Sequence, residues 1–152
     1  CVLNSICARY EADSRERFFS QRYDYIVDAI DLVSCKLDLI ETALGRGMPI
    51  LSALGTANKL DATLLRVADI SKTEGCPLAR VMRKELRNRG IEHLRVVFSP
   101  EEPTRAPDAP DGAEAPPPGR RSIPASNPWV PAAAGLLLGS AVVRDLIEKG
   151  RA

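Results

Sequence analysis

Two carboxylates, Asp28 and Asp31, stand three residues apart where an apolar run gives way to a helical pattern. Residues 25–30 are nearly all apolar, which predicts a strand buried on both faces. Ligands of open α/β sheets bind beyond the carboxyl ends of the strands, so Asp31 is the first candidate for chemistry. A carboxylate there can hold Mg²⁺ beside nucleotide phosphates, whereas alone it would repel them. Alternatively, Asp31 caps the following helix, and the two roles are compatible.

A polar loop follows the next apolar run, residues 48–54, and it carries Asn58 and Lys59. If the two predicted strands are parallel, this loop lies at the same edge of the sheet as Asp31, where ligand-binding side chains gather. Lys59 could offset the charge of a phosphate or carboxylate, and Asn58 could orient one through its amide. A solvated turn explains the same composition equally well.

Cys76 stands just before Pro77, at the predicted start of a helix. The positive end of a helix favours a thiolate, which makes Cys76 the cysteine to test as a nucleophile. No histidine accompanies it, and an unreactive small residue at the helix start is the simpler interpretation.

The helix that begins there carries basic side chains on one face and apolar side chains on the other. The basic residues are Arg80, Arg83, Lys84 and Arg87. Such a stripe fits a track of nucleic-acid phosphates, and binding to them would weaken with added salt. It fits an ordinary solvated helix face as well.

The elements that position these residues alternate between strands and helices, which predicts an α/β fold with a mixed sheet flanked by helices. Strands are predicted at residues 2–6, 25–30, 48–54, 64–70 and 94–98. Helices are predicted at residues 11–21, 33–47, 77–89 and 131–149. The strand at 64–70 alternates apolar and polar residues, as an edge or antiparallel strand does.

Proline divides the chain, because ten of its 12 prolines lie between Pro100 and Pro131. We expect three parts: an α/β portion at 1–103, a mobile proline-rich loop at 104–125, and a helix within 126–152 that packs back on the same domain.

Composition sets further limits. The 152 residues are 45% hydrophobic and 27% charged, as in one globular domain. A formal net charge of +1 excludes a uniformly basic nucleic-acid coat, so any RNA contact needs a local patch. Four cysteines without a Cys-x-x-Cys pair, and one histidine, predict no zinc site and the reduced thiols of a cytoplasmic protein. The apolar run at 130–143 is shorter than the roughly 20 residues that span a bilayer, so no membrane contact is expected.

Several segments together resemble the tRNA threonylcarbamoyladenosine dehydratases, within the adenylating superfamily of ubiquitin-activating-enzyme-like proteins. The segments are YDYIVDAIDLVSCK, MPILSALGTANKLDAT, VADISKTEGCPLARVMRKELRNRGI, VVFSPEEP and SNPWVPAAAGLLLGSAVVRDLI. The resemblance implies a Rossmann-like sheet that forms the second part of an adenylating-enzyme domain. In that family the glycine-rich nucleotide loop precedes the position of Cys1, so we expect the isolated chain to bind ATP weakly and not to turn over.

The resemblance also implies an activity. ATP would convert the threonyl carboxylate of N6-threonylcarbamoyladenosine in tRNA to an acyl-adenylate, which cyclises with loss of AMP. It implies ATP and Mg²⁺ as cofactors, with Asp31 catalytic and facing Mg-ATP. The other implied ATP or Mg²⁺ contacts are Asp28, Asn58 and Lys59. The implied tRNA contacts are Lys72, Arg80, Arg83, Lys84 and Arg87.

The family commonly forms homodimers, and a sulfur-transfer protein is a further implied partner. Two alternatives remain open. A sulfur-carrier protein adenylyltransferase would activate a protein C-terminus instead of tRNA, although such enzymes usually carry paired Cys-x-x-Cys zinc ligands. A non-catalytic binding or dimerisation module would keep the sheet without the nucleotide loop.

Overall fold

The computed structural model describes residues 2–104 and 125–151. Its strands are β1 (Ile26–Asp28), β2 (Ile50–Ala53), β3 (Arg66–Asp69) and β4 (Arg95–Phe98). Its α-helices are α1 (Arg15–Phe18), α2 (Val33–Gly45), α3 (Pro77–Arg87) and α4 (Trp129–Lys149). Short 3-10 turns lie at Ala12–Ser14, Ala62–Leu64 and Ile70–Lys72.

The four strands form one mixed sheet in the order β1-β2-β4-β3. β1 is parallel to β2, and β2 is parallel to β4. β3 pairs antiparallel with β4 at the margin of the sheet. The mixed α/β sheet predicted from the sequence is therefore confirmed, including the antiparallel edge strand.

Helices cover both faces of the sheet because successive strand residues point to opposite sides. Val96 and Phe98 pack with α2 and α3 in the larger core. Leu51 and Val97 pack against α4 in a second, smaller core. The sheet is thus the middle of three layers, and its carboxyl edge lies between α3 and α4.

Glycine and proline mark the helix ends as the sequence indicates. Gly47, just beyond α2, has a φ of +65°, and Gly90, beyond α3, has a φ of +74°. Only glycine adopts this left-handed conformation without strain. Pro77 begins α3, where its missing N–H leaves no hydrogen bond unmade.

Two strand predictions are wrong. Residues 2–6 form no strand, and Val2 and Leu3 are almost fully exposed. Within this chain β1 lies at the margin of the sheet and is buried on one face only: Asp28 is buried, whereas Val27 is 48% exposed. Apolar composition alone does not reveal which strand lies at an edge.

Helix α4 is longer than its apolar run, because Trp129 and residues 144–149 extend it to 21 residues. By length and composition it is long and apolar enough to cross a membrane, with a mean hydropathy of 1.6, so the expectation that it is too short was wrong. This is weak support for a membrane span, since core helices pass the same test. One side of α4 buries Val130, Ala134, Leu138 and Ala141, three of them in the smaller core of the sheet. The proline-rich loop predicted at 104–125 lies outside the described residues, apart from Thr104 and Ala125.

Candidate functional site

A cleft of about 470 Å³ lies beyond the carboxyl ends of β1 and β2. The turn after β1 and the loop after β2 form one side of it, and Leu78 of α3 contributes to its wall. The other side comes from Ser126 and the first half of α4, including Pro131 and Gly135. Its position matches the crevice in which open α/β sheets bind ligands.

Asp31 lines this cleft, as its place after β1 predicts. It belongs to the turn between β1 and α2 and is exposed. Leu32 occupies the cap position of α2 and its own side chain makes no cap hydrogen bond, so Asp31 stands one residue before the cap and its capping role stays a prediction. Among the described residues that line the cleft, Asp31 is the only carboxylate.

Asp28 lies one strand position before the turn and is completely buried. Its Oδ2 accepts hydrogen bonds from Lys36 Nζ at 2.6 Å and from Ser52 Oγ at 2.6 Å. Its Oδ1 accepts from the backbone N–H of Ile30 at 3.0 Å. The prediction that Asp28 contacts ATP or Mg²⁺ directly therefore needs correction, because its oxygens are engaged inside the protein.

Lys36, the partner of Asp28, comes from the first turns of α2 and has no exposed surface. Burial lowers the pKa of Lys36, while the negative charges of Asp28 and then Asp31 act in the opposite direction. Lys36 is not among the site residues predicted from the sequence. Its signal is a lysine on the apolar face of a helix, three residues after Val33 and one before Leu37.

Asn58 and Lys59 do not line the cleft, contrary to prediction. Lys59 is 2% exposed, and its Nζ donates to the carbonyl oxygens of Ser99 at 2.7 Å and Glu101 at 2.6 Å. Burial lowers the pKa of Lys59. Asn58 has a φ of +59°, and its Oδ1 accepts from the N–H of Ala125 at 3.0 Å. Both residues hold the loop in place, Lys59 through its ammonium and Asn58 through its side-chain oxygen.

The residues of this loop that do line the cleft are Gly55, Thr56 and Ala57, directly after β2. The carboxyl-edge rule could have found these three from the sequence, because they follow the strand immediately. It could not have found Pro131 or Gly135, which reach the cleft only through the tertiary packing of α4.

Cys76 serves as a helix cap. Its side chain is 4% exposed, and Sγ accepts from the N–H of Ala79 at 3.5 Å. A thiol engaged in this way is structural in character, in line with the simpler interpretation of its place in the sequence.

The basic face of α3 divides into two kinds of residue. Arg80, Lys84 and Arg87 are exposed, and Lys72 is exposed in the turn that precedes the helix. Arg83 is half-buried and donates to the carbonyl oxygen and to the hydroxyl of Thr73, both at 2.6 Å. The guanidinium of Arg83 thus joins α3 to the Thr73 turn through one of its nitrogens, and the predicted tRNA contact at Arg83 stays a prediction.

Within residues 2–104 and 125–151, no group of three or more His, Cys, Asp or Glu side chains could hold a metal ion. Asp31 alone still fits Mg²⁺ bound to a nucleotide, because Mg²⁺ is commonly held by one or two protein carboxylates together with substrate phosphates. The single carboxylate of the cleft is therefore compatible with an ion that a bound nucleotide would also hold.

The sheet order, the layers and the cleft at the carboxyl edge define a Rossmann-like α/β domain. No family model matches the chain. It is 37% identical to the tRNA threonylcarbamoyladenosine dehydratase of Bacillus subtilis over 97% of this chain and 60% of that protein. The chain therefore spans less than two thirds of the length of this relative.

Solved structures of an enzyme with the same named activity are also similar to this chain. The E. coli tRNA N6-threonylcarbamoyladenosine dehydratase in complex with ATP matches 91% of this chain and 54% of its own, with a TM-score of 0.73 and 25% identity. The same enzyme in complex with AMP matches with a TM-score of 0.74 and 26% identity. The resemblance stated from the sequence is confirmed: the chain is homologous to part of the tRNA threonylcarbamoyladenosine dehydratases.

Proposed function

We propose that the full-length protein dehydrates N6-threonylcarbamoyladenosine in tRNA to its cyclic form at the expense of ATP. The single observation that carries the proposal is the homology over 97% of the chain to a named dehydratase. The cleft with Asp31 at the carboxyl edge of the sheet supports it, because the chemistry needs a nucleotide site at this place.

The proposed reaction has two steps. An oxygen of the threonyl carboxylate attacks the α-phosphorus of ATP, and pyrophosphate leaves with the electron pair of the broken bond. The neighbouring ureido group then attacks the activated carbonyl carbon, and AMP leaves while the ureido group loses its proton. Adenylation is needed because oxide is a very poor leaving group and AMP is a good one. The second step is intramolecular, so positioning alone can supply a large rate advantage.

The cleft has properties suited to this use. Its volume, about 470 Å³, falls within the range of small-molecule sites. Leu54, Leu78 and Leu138 line it, and apolar walls limit the access of water that would hydrolyse an acyl-adenylate. Asp31 is placed to hold Mg²⁺, which when bound would offset the charge of the phosphates.

The exposed cations around α3 support a tRNA contact. Lys72, Arg80, Lys84 and Arg87 are all exposed, and a chain with a net charge of +1 can bind RNA only through such a local group. We also propose a cytoplasmic homodimer that works with a sulfur-transfer protein and needs no membrane. The homodimer and the sulfur-transfer partner rest on the family resemblance, and the cytoplasmic location rests on the four cysteines without a Cys-x-x-Cys pair.

The test uses the full-length protein, ATP, Mg²⁺ and tRNA that bears the modified adenosine. We expect AMP and pyrophosphate in equal amounts, together with a nucleoside that has lost one molecule of water, detected by mass spectrometry. For the Asp31→Asn variant in this assay, Asp24→Asn is the matched control, because Asp24 is an exposed carboxylate outside the cleft. If AMP forms with a sulfur-carrier protein instead of tRNA, the protein is an adenylyltransferase. If it forms with neither substrate, the dehydratase proposal fails.

A further inference from the structure

The turn that carries Asp31 rests on a buried charged cluster. Its members, which we call the buried clamp, are Asp28, Lys36 and Ser52, and all three have no exposed surface. Lys36 Nζ lies 2.6 Å from Asp28 Oδ2 and 3.2 Å from Ser52 Oγ. The Ser52 hydroxyl also donates to Asp28 Oδ2, so the three polar groups satisfy one another.

Each member of the buried clamp comes from a different element. Asp28 ends β1, Ser52 stands opposite it on β2, and Lys36 belongs to the first turns of α2. The remaining oxygen of Asp28 accepts from the N–H of Ile30, in the middle of the turn. One carboxylate thus ties the turn to both of its flanking elements and to the neighbouring strand.

Stability alone is a poor explanation for this arrangement. Two charges taken out of water lose hydration that their attraction barely repays, and apolar side chains of similar volume would often stabilise a core as well or better. What an ion pair with directional hydrogen bonds supplies is a single geometry. That geometry applies to the turn, where Ala29, Ile30 and Asp31 form the wall of the cleft.

We propose that Asp28, Lys36 and Ser52 are positioning residues, which fix the turn so that the Asp31 carboxylate is held toward bound Mg-ATP. This inference rests on the proposed function. The three residues do not contact the nucleotide, and they act through the backbone of the turn.

Two charge-balanced double variants of the full-length protein separate positioning from simple stability. Asp28→Asn with Lys36→Met keeps an oxygen that can accept from Ile30 N–H. Asp28→Leu with Lys36→Met removes that acceptor. Neither leaves an unpaired charge in the core, so both avoid the main cause of unfolding. They differ in the acceptor for the Ile30 N–H and in the partner left for the Ser52 hydroxyl, and exchange at the Ile30 amide reports on the first of these differences.

We expect the Leu/Met variant to lose about 10- to 100-fold in kcat/KM for ATP, because small displacements of a positioned group have effects of this size. The half-saturating Mg²⁺ concentration should rise with it. The Asn/Met variant should keep a kcat/KM at least about fivefold above that of the Leu/Met variant. Hydrogen exchange at the Ile30 amide should be faster in the Leu/Met variant alone, while exchange in β2 and α2 stays slow.

Tyr25→Phe is the control, because it removes a 2.7 Å hydrogen bond to Asp145 of α4, outside the cleft. It should leave kcat/KM unchanged. Equal kcat/KM and equal Ile30 exchange in the two double variants would overturn the proposal. Ser52→Ala serves if a double variant does not fold, with a threefold or smaller change in KM for ATP counting against the clamp. If the wild-type protein converts no ATP, the proposed function fails, and Ile30 exchange then decides the positioning of the turn by itself.

Discussion

Replacing Asp31 by asparagine tests the centre of the proposed site. The side chain is exposed and lies outside both cores, so its replacement removes no buried apolar packing, and thermal unfolding of the variant measures any change in stability. Asparagine has nearly the same shape, so the change removes the charge and little else. Any loss of activity can then be assigned to that charge.

The magnitude follows from the openness of the site. Opposite charges about 4 Å apart interact by about 4 kcal/mol near a protein surface, and by much less in bulk water. Asp31 lies at the wall of an open cleft, so about 2 to 4 kcal/mol of interaction with Mg²⁺ should be lost. Each 1.4 kcal/mol or so is a factor of ten in rate, which gives a fall of about 30- to 1,000-fold in kcat/KM.

The assay is the formation of AMP from ATP with modified tRNA, measured at several Mg²⁺ concentrations in the full-length protein. The fall should be smaller at high Mg²⁺, since excess metal partly restores binding by mass action. Asp24→Asn should behave as wild type in the same assay. A folded Asp31→Asn protein with normal kcat/KM would remove Asp31 from the mechanism.

Three further predictions concern RNA binding, acid stability and a close backbone contact. Lys84→Ala with Arg87→Ala should weaken tRNA binding and reduce the magnitude of the slope of log K against log salt by about one to two, because each phosphate contact adds about 0.7 to 0.9. An unchanged slope would show that these two side chains do not contact the phosphates of tRNA. The Arg15 guanidinium and the Tyr10 hydroxyl hold the pKa of Asp38 below its ordinary value of 3.8. That stabilisation is present above the ordinary value and is lost as the pH falls through the lower, folded-state value, so Asp38→Asn should flatten the decline of Tm below about pH 4, and an equally steep decline would contradict this. Gly75→Ala should destabilise the fold by more than about 2 kcal/mol in denaturant titrations, because Gly75 has a φ of +65° and a Cβ there would lie 1.9 Å from the carbonyl oxygen of Pro100. Gly45→Ala is its control, since the new Cβ would meet no atom within 4 Å beyond its neighbours in the chain and the backbone of its own helix, and no loss of stability is expected.

Local sequence signals predicted the parts of the fold that depend on local physics. The spacing of apolar residues and the glycine and proline positions gave α2 and α3 nearly to the residue, because helix periods and helix ends are set within a few residues. The placement of Asp31 followed from the same signals, since a residue directly after a parallel strand lies at the carboxyl edge whatever the order of strands.

The errors share a different origin, which is partners distant in sequence. The local sequence around Lys59 is typical of a solvated loop. In the structure its ammonium donates to the carbonyl oxygens of Ser99 and Glu101, which are 40 and 42 residues away. Asp28 was predicted to bind ATP or Mg²⁺, but its carboxylate accepts a hydrogen bond from Ser52 of the neighbouring strand. The apolar run predicted that Val27 is buried, but β1 lies at the margin of the sheet that this chain forms. No local pattern contains this information.

Because Lys36 and Lys59 do not line the cleft, neither of them can neutralise the charge of phosphates bound there. Lys36 and Lys59 are both buried, and each holds one of the two segments that form the same side of the cleft. Among the described residues that line the cleft there is no lysine or arginine. A triphosphate in this space would meet one carboxylate and no lysine or arginine from residues 2–104 and 125–151, so its charge would be offset by Mg²⁺ or by residues outside those ranges. The chain covers 60% of its Bacillus subtilis relative, and the expectation that the chain alone binds ATP weakly stays a prediction, which a titration of the chain with ATP in the presence and absence of Mg²⁺ would test.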